Sequence, residues 1–230
     1  MAILHLHFYA NTSDSYPPDK FVDYLRGPIN ADHPFGRIDD AGVALEFYQN
    51  AAHGTADFQK SLLDDGGVVV YLGHSVPDHK AKRSLGLSFL GNGKADIPAI
   101  TVAKPGQPKP PDLMDLVGGS RAKLVILATC ASSTFGLEKL KAGPAVVVTN
   151  SGVNLVTWSA NWGIALQHFL LLLIGYEVGK DNQPVARKKG RATISDALEA
   201  ANAAFKKLKT TDLCELAHGE GSTVVFSERK

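Results

Sequence analysis

Two short segments carry side chains suited to nucleophilic chemistry, each at the end of an apolar run. VVVYLGHS (68–75) leads into His74 and Ser75, and KLVILATCASS (123–133) leads into Cys130. A thiol with an ordinary pKa near 8.5 is only a few per cent thiolate at neutral pH, so a cysteine nucleophile needs a nearby base. An imidazole accepts the thiol proton or, once protonated, stabilises the thiolate. The pair predicts a His74–Cys130 dyad.

Ser75 offers a second interpretation, as the nucleophile of a serine hydrolase. The nucleophile elbow requires Gly-x-Ser-x-Gly at a tight turn from a strand into a helix. Here Pro77 takes the place of the second glycine, and the following residues predict a hairpin instead of a helix. A nucleotide-binding domain is a further alternative, but the chain has neither GxGxxG nor GxxxxGK[ST] for a phosphate-binding loop. The residues therefore favour His74 as a base over Ser75 as a nucleophile.

The elements around these segments predict an α/β fold. VVVYLG, KLVILAT and AVVVTN are continuous apolar runs of strand length, typical of central parallel strands, and ILHLHFYA alternates like a first strand. Strands alternating with helices favour a three-layer α/β/α domain with a mostly parallel central sheet, and we expect residues 1–230 to form a single domain. Reactive groups gather beyond the carboxyl ends of such strands, so His74 and Cys130 would share a crevice if their strands are neighbours.

The pattern also predicts the remaining elements. Helices are expected over residues 17–27, 39–65, 110–119, 135–143, 157–176 and 193–209. A hairpin is expected over 84–103, a polar basic loop over 177–193, and a last short strand over 222–228.

Composition limits the classes of function. The 24 basic and 23 acidic residues nearly cancel, so no general attraction to nucleic acid or to an anionic membrane is expected. The apolar run of about 13 residues at 164–176 is too short to span a bilayer, which needs about 20. The two cysteines are too few for a disulfide framework and suit a reducing cytosol, and we interpret Cys214 as structural. His5 and His7 alternate on the first strand but lack a third ligand for a metal. We expect a soluble cytoplasmic protein without metal or cofactor.

The same segments resemble the CHAT family of caspase-like cysteine peptidases, clan CD. The family pattern is a strand ending in histidine, a leucine-rich hairpin, a short helix, and a strand ending in Ala-Cys and small or polar residues. VVVYLGHS, SLGLSFLG…AITVA, PPDLMDLV and KLVILATCASS follow that order, and the resemblance covers roughly residues 60–227. His74 and Cys130 are 56 positions apart, near the roughly 50 typical of caspases.

The resemblance implies a cysteine endopeptidase of caspase-like fold that cleaves a protein substrate without a cofactor. His74 would be the general base and Cys130 the nucleophile, with the backbone N–H groups of Ser75 and Cys130 binding the oxyanion. Ser132, Asn150 and Trp158 would border the substrate cleft. Family members act as effectors in bacterial assemblies, including anti-phage defence, which implies control by a regulatory or sensor partner.

The sequence also departs from the family pattern. Cys130 is followed by Ala-Ser-Ser instead of an acidic residue and Thr-Gly, and Ser75 stands where the family has glycine. Basic-specific relatives place an aspartate at the position of Ala128, so a preference for Arg or Lys would need an acid from elsewhere, Asp78 or Asp115. These departures keep open a catalytically silent scaffold or interaction module. The basic segment 185–191 is expected to be a flexible, solvated loop.

Overall fold

The structure is a computed structural model that describes residues 2–9, 38, 41–49, 54–89, 93–102, 104–150, 160–180, 184–208 and 213–226. In chain order its elements are β1 (Ala2–Tyr9), β2 (Val43–Gln49), α1 (Gly54–Leu62), β3 (Val68–Asp78), β4 (Arg83–Ser88), β5 (Ile97–Pro98), α2 (Leu113–Gly118), β6 (Leu124–Ala128), β7 (Ala145–Asn150), α3 (Ala160–Leu173), β8 (Tyr176–Val178), β9 (Pro184–Ala186), α4 (Ile194–Lys207) and β10 (Leu213–His218). Two short 3₁₀ helices, Ser132–Phe135 and Leu137–Lys139, follow β6.

The central sheet has the strand order β10-β7-β6-β3-β1-β2. The pairs β2–β1, β1–β3, β3–β6 and β6–β7 are parallel, and β10 closes one edge antiparallel to β7. The prediction of an α/β fold with a mostly parallel central sheet is confirmed. The two strands that precede His74 and Cys130 are neighbours, which is the condition that the sequence left open.

Helices cover both faces of this sheet, which explains why the central strands are apolar at every position. Val68, Val70 and Leu72 of β3 pack in a core with α3 and α4, whereas Val69 and Tyr71 pack in a second core with α1 and α2. Alternate residues of one strand thus enter opposite cores. The layers are α/β/α.

The two longest described helices form for different reasons. α3 is apolar on nearly all sides and packs against both the sheet and α4. α4 begins at a reciprocal cap, in which the Thr193 hydroxyl accepts from the Asp196 N–H and the Asp196 carboxylate accepts from the Thr193 N–H. Within the described ranges, no helix has both the length and the apolar character needed to cross a membrane.

The helix expected over residues 39–65 is wrong in its first half. Residues 43–49 form β2, the parallel edge strand beside β1, and the helix starts only at Gly54. The segment alternates, with Val43, Leu45 and Phe47 directed at the core and Glu46 exposed between them. This period of two was outweighed in the sequence by the helical spacing of Phe47, Tyr48 and the residues after them.

Two further expectations change near the C-terminus. Residues 177–193 are not a plain loop, because β8 and β9 pair there and Arg187 contacts Asp196 at 3.5 Å. Residues 222–226 form only an isolated bridge from Val224 to Thr193, and the edge strand of the sheet is β10.

The hairpin at 84–103 is present as the β4–β5 pair, and residues 135–143 hold a 3₁₀ turn in place of an α-helix. The helix expected over 17–27 lies outside the described residues.

His7 is a fully buried histidine on β1, on the face covered by α1. Its ring stacks on Tyr48 with the ring centroids 4.4 Å apart, and its Nε2 lies 2.9 Å from the Ser61 hydroxyl. Burial, with a smaller contribution from the neighbouring His5, lowers the pKa of His7 from 6.5 to about 3. His7 is therefore neutral in the folded protein at physiological pH.

The low pKa of His7 predicts acid sensitivity of the fold. The unfolded chain binds this proton near pH 6.5 and the folded chain only near pH 3, so stability falls as the pH falls through that window. The loss attributable to His7 approaches about 1.4 kcal/mol per pH unit within the window. In urea unfolding at pH 4 to 8, His7→Gln should show a shallower pH dependence than the natural chain. His79→Gln, in the exposed turn after β3, should keep the natural slope, and an unchanged slope in His7→Gln would contradict the assignment.

Candidate active site

The site is built where β3 leaves the central sheet. Up to Leu72 the strand pairs with β6, and its last pair with β1 joins Gly73 to Tyr9. From His74 onward β3 pairs instead with β4, in antiparallel register, with His74 opposite Ser88. His74 therefore lies at the point where β3 changes its partner from β6 to β4.

The backbone of His74 is anchored from inside the core. The phenol oxygen of Tyr71, which is fully buried, lies 2.7 Å from the His74 carbonyl oxygen and 2.9 Å from that of Ser88, so its single O–H is shared between the two acceptors. Aromatic contacts hold the phenol in turn, with Phe89 at 5.1 Å and Phe58 at 5.9 Å between ring centroids. The carbonyl of a trans peptide points opposite to the next N–H, so this anchor also sets the direction of the Ser75 N–H.

The imidazole of His74 is half-buried, and the hydrogen-bonding capacity of its Nε2 atom is unsatisfied. This atom is shielded from solvent and has no hydrogen-bond partner among the residues that the structure describes. An unsatisfied buried polar atom costs about 1–3 kcal/mol, and one that persists needs an explanation. An imidazole nitrogen kept free to exchange a proton with a substrate or nucleophile is such an explanation.

Cys130 lies in a tight turn directly after β6. Thr129 and Ala131 on either side of it are buried, whereas Cys130 is partly exposed. The turn depends on Ala131, which has left-handed backbone angles of φ 51° and ψ 32°. A non-glycine residue pays roughly 1–2 kcal/mol for this conformation, and such strain is found mostly at functional sites.

Hydroxyl groups from three elements hold this turn. The carbonyl of Thr129 accepts from Thr149 of β7, that of Cys130 from Ser75 of β3, and that of Ala131 from Thr134, each at 2.7 Å. The Thr134 hydroxyl also accepts the backbone N–H of Ser84 in β4 at 2.9 Å. Three consecutive peptide groups are therefore fixed in direction.

Ser132, predicted to border the substrate cleft, is instead part of the support beneath the turn. It is 1% exposed, and its hydroxyl donates to the Leu127 carbonyl at 2.7 Å and accepts the Thr149 N–H at 2.8 Å. Its oxygen also lies 2.9 Å from the Thr149 hydroxyl. With these contacts the hydroxyl faces the protein, and we assign it to positioning.

The strand register aligns the two residues of the predicted dyad. The last β3–β6 pair is Leu72 with Ala128, so two further residues on each strand lead to His74 and Cys130. The hydrogen bond from the Ser75 hydroxyl to the Cys130 carbonyl joins the chain next to His74 to the backbone of Cys130 itself. The structure thus places the backbone of Cys130 beside the residue that follows His74.

The serine-hydrolase alternative does not fit this geometry. Ser75 lies within β3, opposite Leu87 of β4, and an antiparallel turn follows the strand where an elbow needs a helix. Its hydroxyl is committed to the Cys130 carbonyl. Ser75 therefore belongs to the framework of the turn.

The remaining predicted residues have separate outcomes. Asn150 is the last residue of β7 and pairs with Leu213 of β10, and its side chain lies outside the described part. Trp158 lies outside the described residues altogether. Asp78 forms an ion pair with Arg83 at 3.7 Å, and Asp115 forms one with Lys109 at 2.9 Å, so each carboxylate has a local basic partner.

Sequence reasoning missed the residues that support the site: Tyr71, Ser84, Thr134 and Thr149. The available signal was the density of hydroxyls at strand ends, in TCASST and in VVVTN. Buried carbonyls in a turn need donors, and short hydroxyl side chains are common sources of them.

A cleft of about 630 Å³ lies elsewhere, between α3, β8 and the end of α4. Its walls include Gln167, His168, Lys180 and Lys207, and no residue of the predicted dyad. Burial, followed by the nearby Lys207, lowers the pKa of His168. The cleft is thus a feature separate from the candidate site around His74 and Cys130.

No family model and no curated protein matches this chain.

The support beneath the turn can be tested through stability. Ser132→Ala removes the buried acceptor of the Thr149 N–H and one of the donors to the Leu127 carbonyl, and we expect a loss of about 1–3 kcal/mol in the free energy of unfolding. Ser133→Ala, next to it but partly exposed, should change that energy by less than about 0.5 kcal/mol. Equal effects of the two substitutions in urea denaturation would show that the hydroxyl of Ser132 has no special role.

Proposed function

We propose that this protein is a cysteine endopeptidase that uses His74 as general base and Cys130 as nucleophile. The observation that carries the proposal is the Ser75–Cys130 hydrogen bond, which joins the strand carrying His74 to the turn carrying Cys130, just beyond the last β3–β6 pair. The buried, unpartnered Nε2 of His74 and the partly exposed Cys130 in a strained turn add to it. A nucleophile and a base at neighbouring strand ends suit acyl transfer.

Acylation would proceed from the thiol. His74 accepts the proton of Cys130, and the thiolate attacks the carbonyl carbon of the scissile peptide bond, whose oxygen becomes an oxyanion. The backbone N–H groups of Ser75 and Cys130 are the proposed donors to that oxygen. When the intermediate collapses, the C–N bond breaks, His74 returns the proton to the leaving amine, and a thioester remains on Cys130.

Deacylation would use the same two residues. His74 removes a proton from water, the hydroxide attacks the thioester carbon, and the C–S bond breaks to release a carboxylic acid. The proton returns from His74 to the thiolate of Cys130, which restores the starting state. The cycle needs no metal, oxidant or organic cofactor.

The order of elements supports the resemblance to CHAT-family peptidases. A strand carrying histidine, the β4–β5 hairpin, the short helix α2 and a strand followed by cysteine occur in the family order. By that resemblance we propose a protein substrate, a role as an effector in a bacterial regulatory or anti-phage system, and control by a partner protein. The alternative, a silent caspase-like scaffold, predicts an unreactive Cys130.

Covalent labelling of Cys130 distinguishes a cysteine peptidase from a silent scaffold. We expect an acyl-warhead probe directed at thiols to add once to the natural chain, as measured by intact mass. The adduct should be lost in Cys130→Ala and slowed by about a hundredfold in His74→Ala, in line with general-base catalysis.

Matched controls exist for both residues. Cys214→Ala removes the buried second thiol, and His79→Ala removes an exposed histidine five positions from His74, so both should label at the natural rate. Labelling that is unaffected by His74→Ala would refute the dyad. Absence of labelling in the natural chain would favour the scaffold.

A further inference from the structure

We propose that the side chain of Ser75 is a positioning residue, whose hydroxyl sets the placement of Cys130 relative to His74; this inference rests on the proposed function. The hydroxyl donates to the Cys130 carbonyl at 2.7 Å. The resemblance assigns only a backbone N–H to this position, and the family has glycine there. A serine side chain therefore adds a link that a glycine lacks.

The link lies just beyond the last paired residues of the two strands. Pairing of β3 with β6 ends at Leu72 and Ala128, and β3 then pairs with β4. Beyond that last pair, the Ser75–Cys130 hydrogen bond joins β3 to the turn after β6. The bond is made to the backbone of Cys130, the proposed nucleophile. Its donor, Ser75, is the chain neighbour of His74, the proposed base.

The bond also completes the set that fixes the turn. Thr149 holds the Thr129 carbonyl from β7 and Thr134 holds the Ala131 carbonyl, so each side of Cys130 is held from another element. The Ser75 hydroxyl donates to the carbonyl of Cys130 itself. Without it, the peptide group between Cys130 and Ala131 loses the hydroxyl that sets its direction, next to the strained Ala131.

A comparison of Ser75→Thr with Ser75→Val isolates the hydroxyl. Threonine and valine have nearly the same shape and both suit a strand, and only threonine can donate to the Cys130 carbonyl. Ser88→Ala is the matched control, because the Ser88 hydroxyl lies opposite His74 in the register and has no partner among the described residues. At pH 7 we expect Ser75→Thr and Ser88→Ala to label close to the natural rate, and Ser75→Val about tenfold or more slowly.

The pH profile distinguishes positioning from damage to the fold. Above the ordinary thiol pKa of about 8.5, the thiolate of Cys130 forms without His74. The deficit of Ser75→Val should therefore be largest near pH 7 and shrink towards pH 9. A deficit that is constant across the profile, or a Ser75→Val rate equal to that of Ser75→Thr at pH 7, would overturn the inference.

Hydrogen exchange keeps the inference testable if the proposed function fails. The Ser132 N–H is bonded to the Thr129 carbonyl at 3.3 Å, so its exchange rate reports on opening of the turn. We expect faster exchange of this amide in Ser75→Val than in Ser75→Thr. Equal exchange would overturn the positioning role, whereas labelling of the natural chain that does not depend on His74 would refute only the dyad.

Discussion

Everything at the candidate site depends on β3 belonging to two sheets in succession. Its first half is the buried middle of a parallel sheet, and its second half is one side of an antiparallel hairpin with β4. Pairing of β3 with β6 ends at Leu72 and Ala128, and Ala128 is the last residue of β6, so the turn that follows β6 lies beyond the paired strands. Backbone groups in that turn need partners other than a strand ladder.

Side-chain hydroxyls meet that need. A turn whose flanking residues are buried cannot rely on water for its carbonyls, and unpaired carbonyls would cost about 1–3 kcal/mol each. Ser75, Thr134 and Thr149 supply the donors, while Ser132 connects β6 to β7 below them. Because the donors come from β3, β7 and the 3₁₀ helix, the turn is rigid only in the fully folded sheet.

Local sequence patterns predicted some parts of this arrangement and not others. Continuous apolar runs identified β3, β6 and β7, since strands covered on both faces have no polar alternation. β2 was misread as a helix because Phe47 and Tyr48 obscured its alternation, and β10 was missed because CELAH has few strand-forming residues. That the strands leading to His74 and Cys130 run parallel could be expected from these runs, but the Ser75–Cys130 bond could not, because it depends on a register that no local pattern encodes.

Ser75 and Ala131, the residues that follow His74 and Cys130, differ in backbone conformation. Glycine is favoured where φ is positive, and the described non-glycine residues with positive φ are Lys82 and Ala131. Ser75 therefore supplies its hydroxyl donor without the strain of a left-handed backbone. The strain falls on Ala131 instead, where a side chain larger than glycine resists the left-handed turn. Hydrogen bonds on either side of that residue hold it in place, so the hydroxyls compensate for a turn that the backbone alone would not favour.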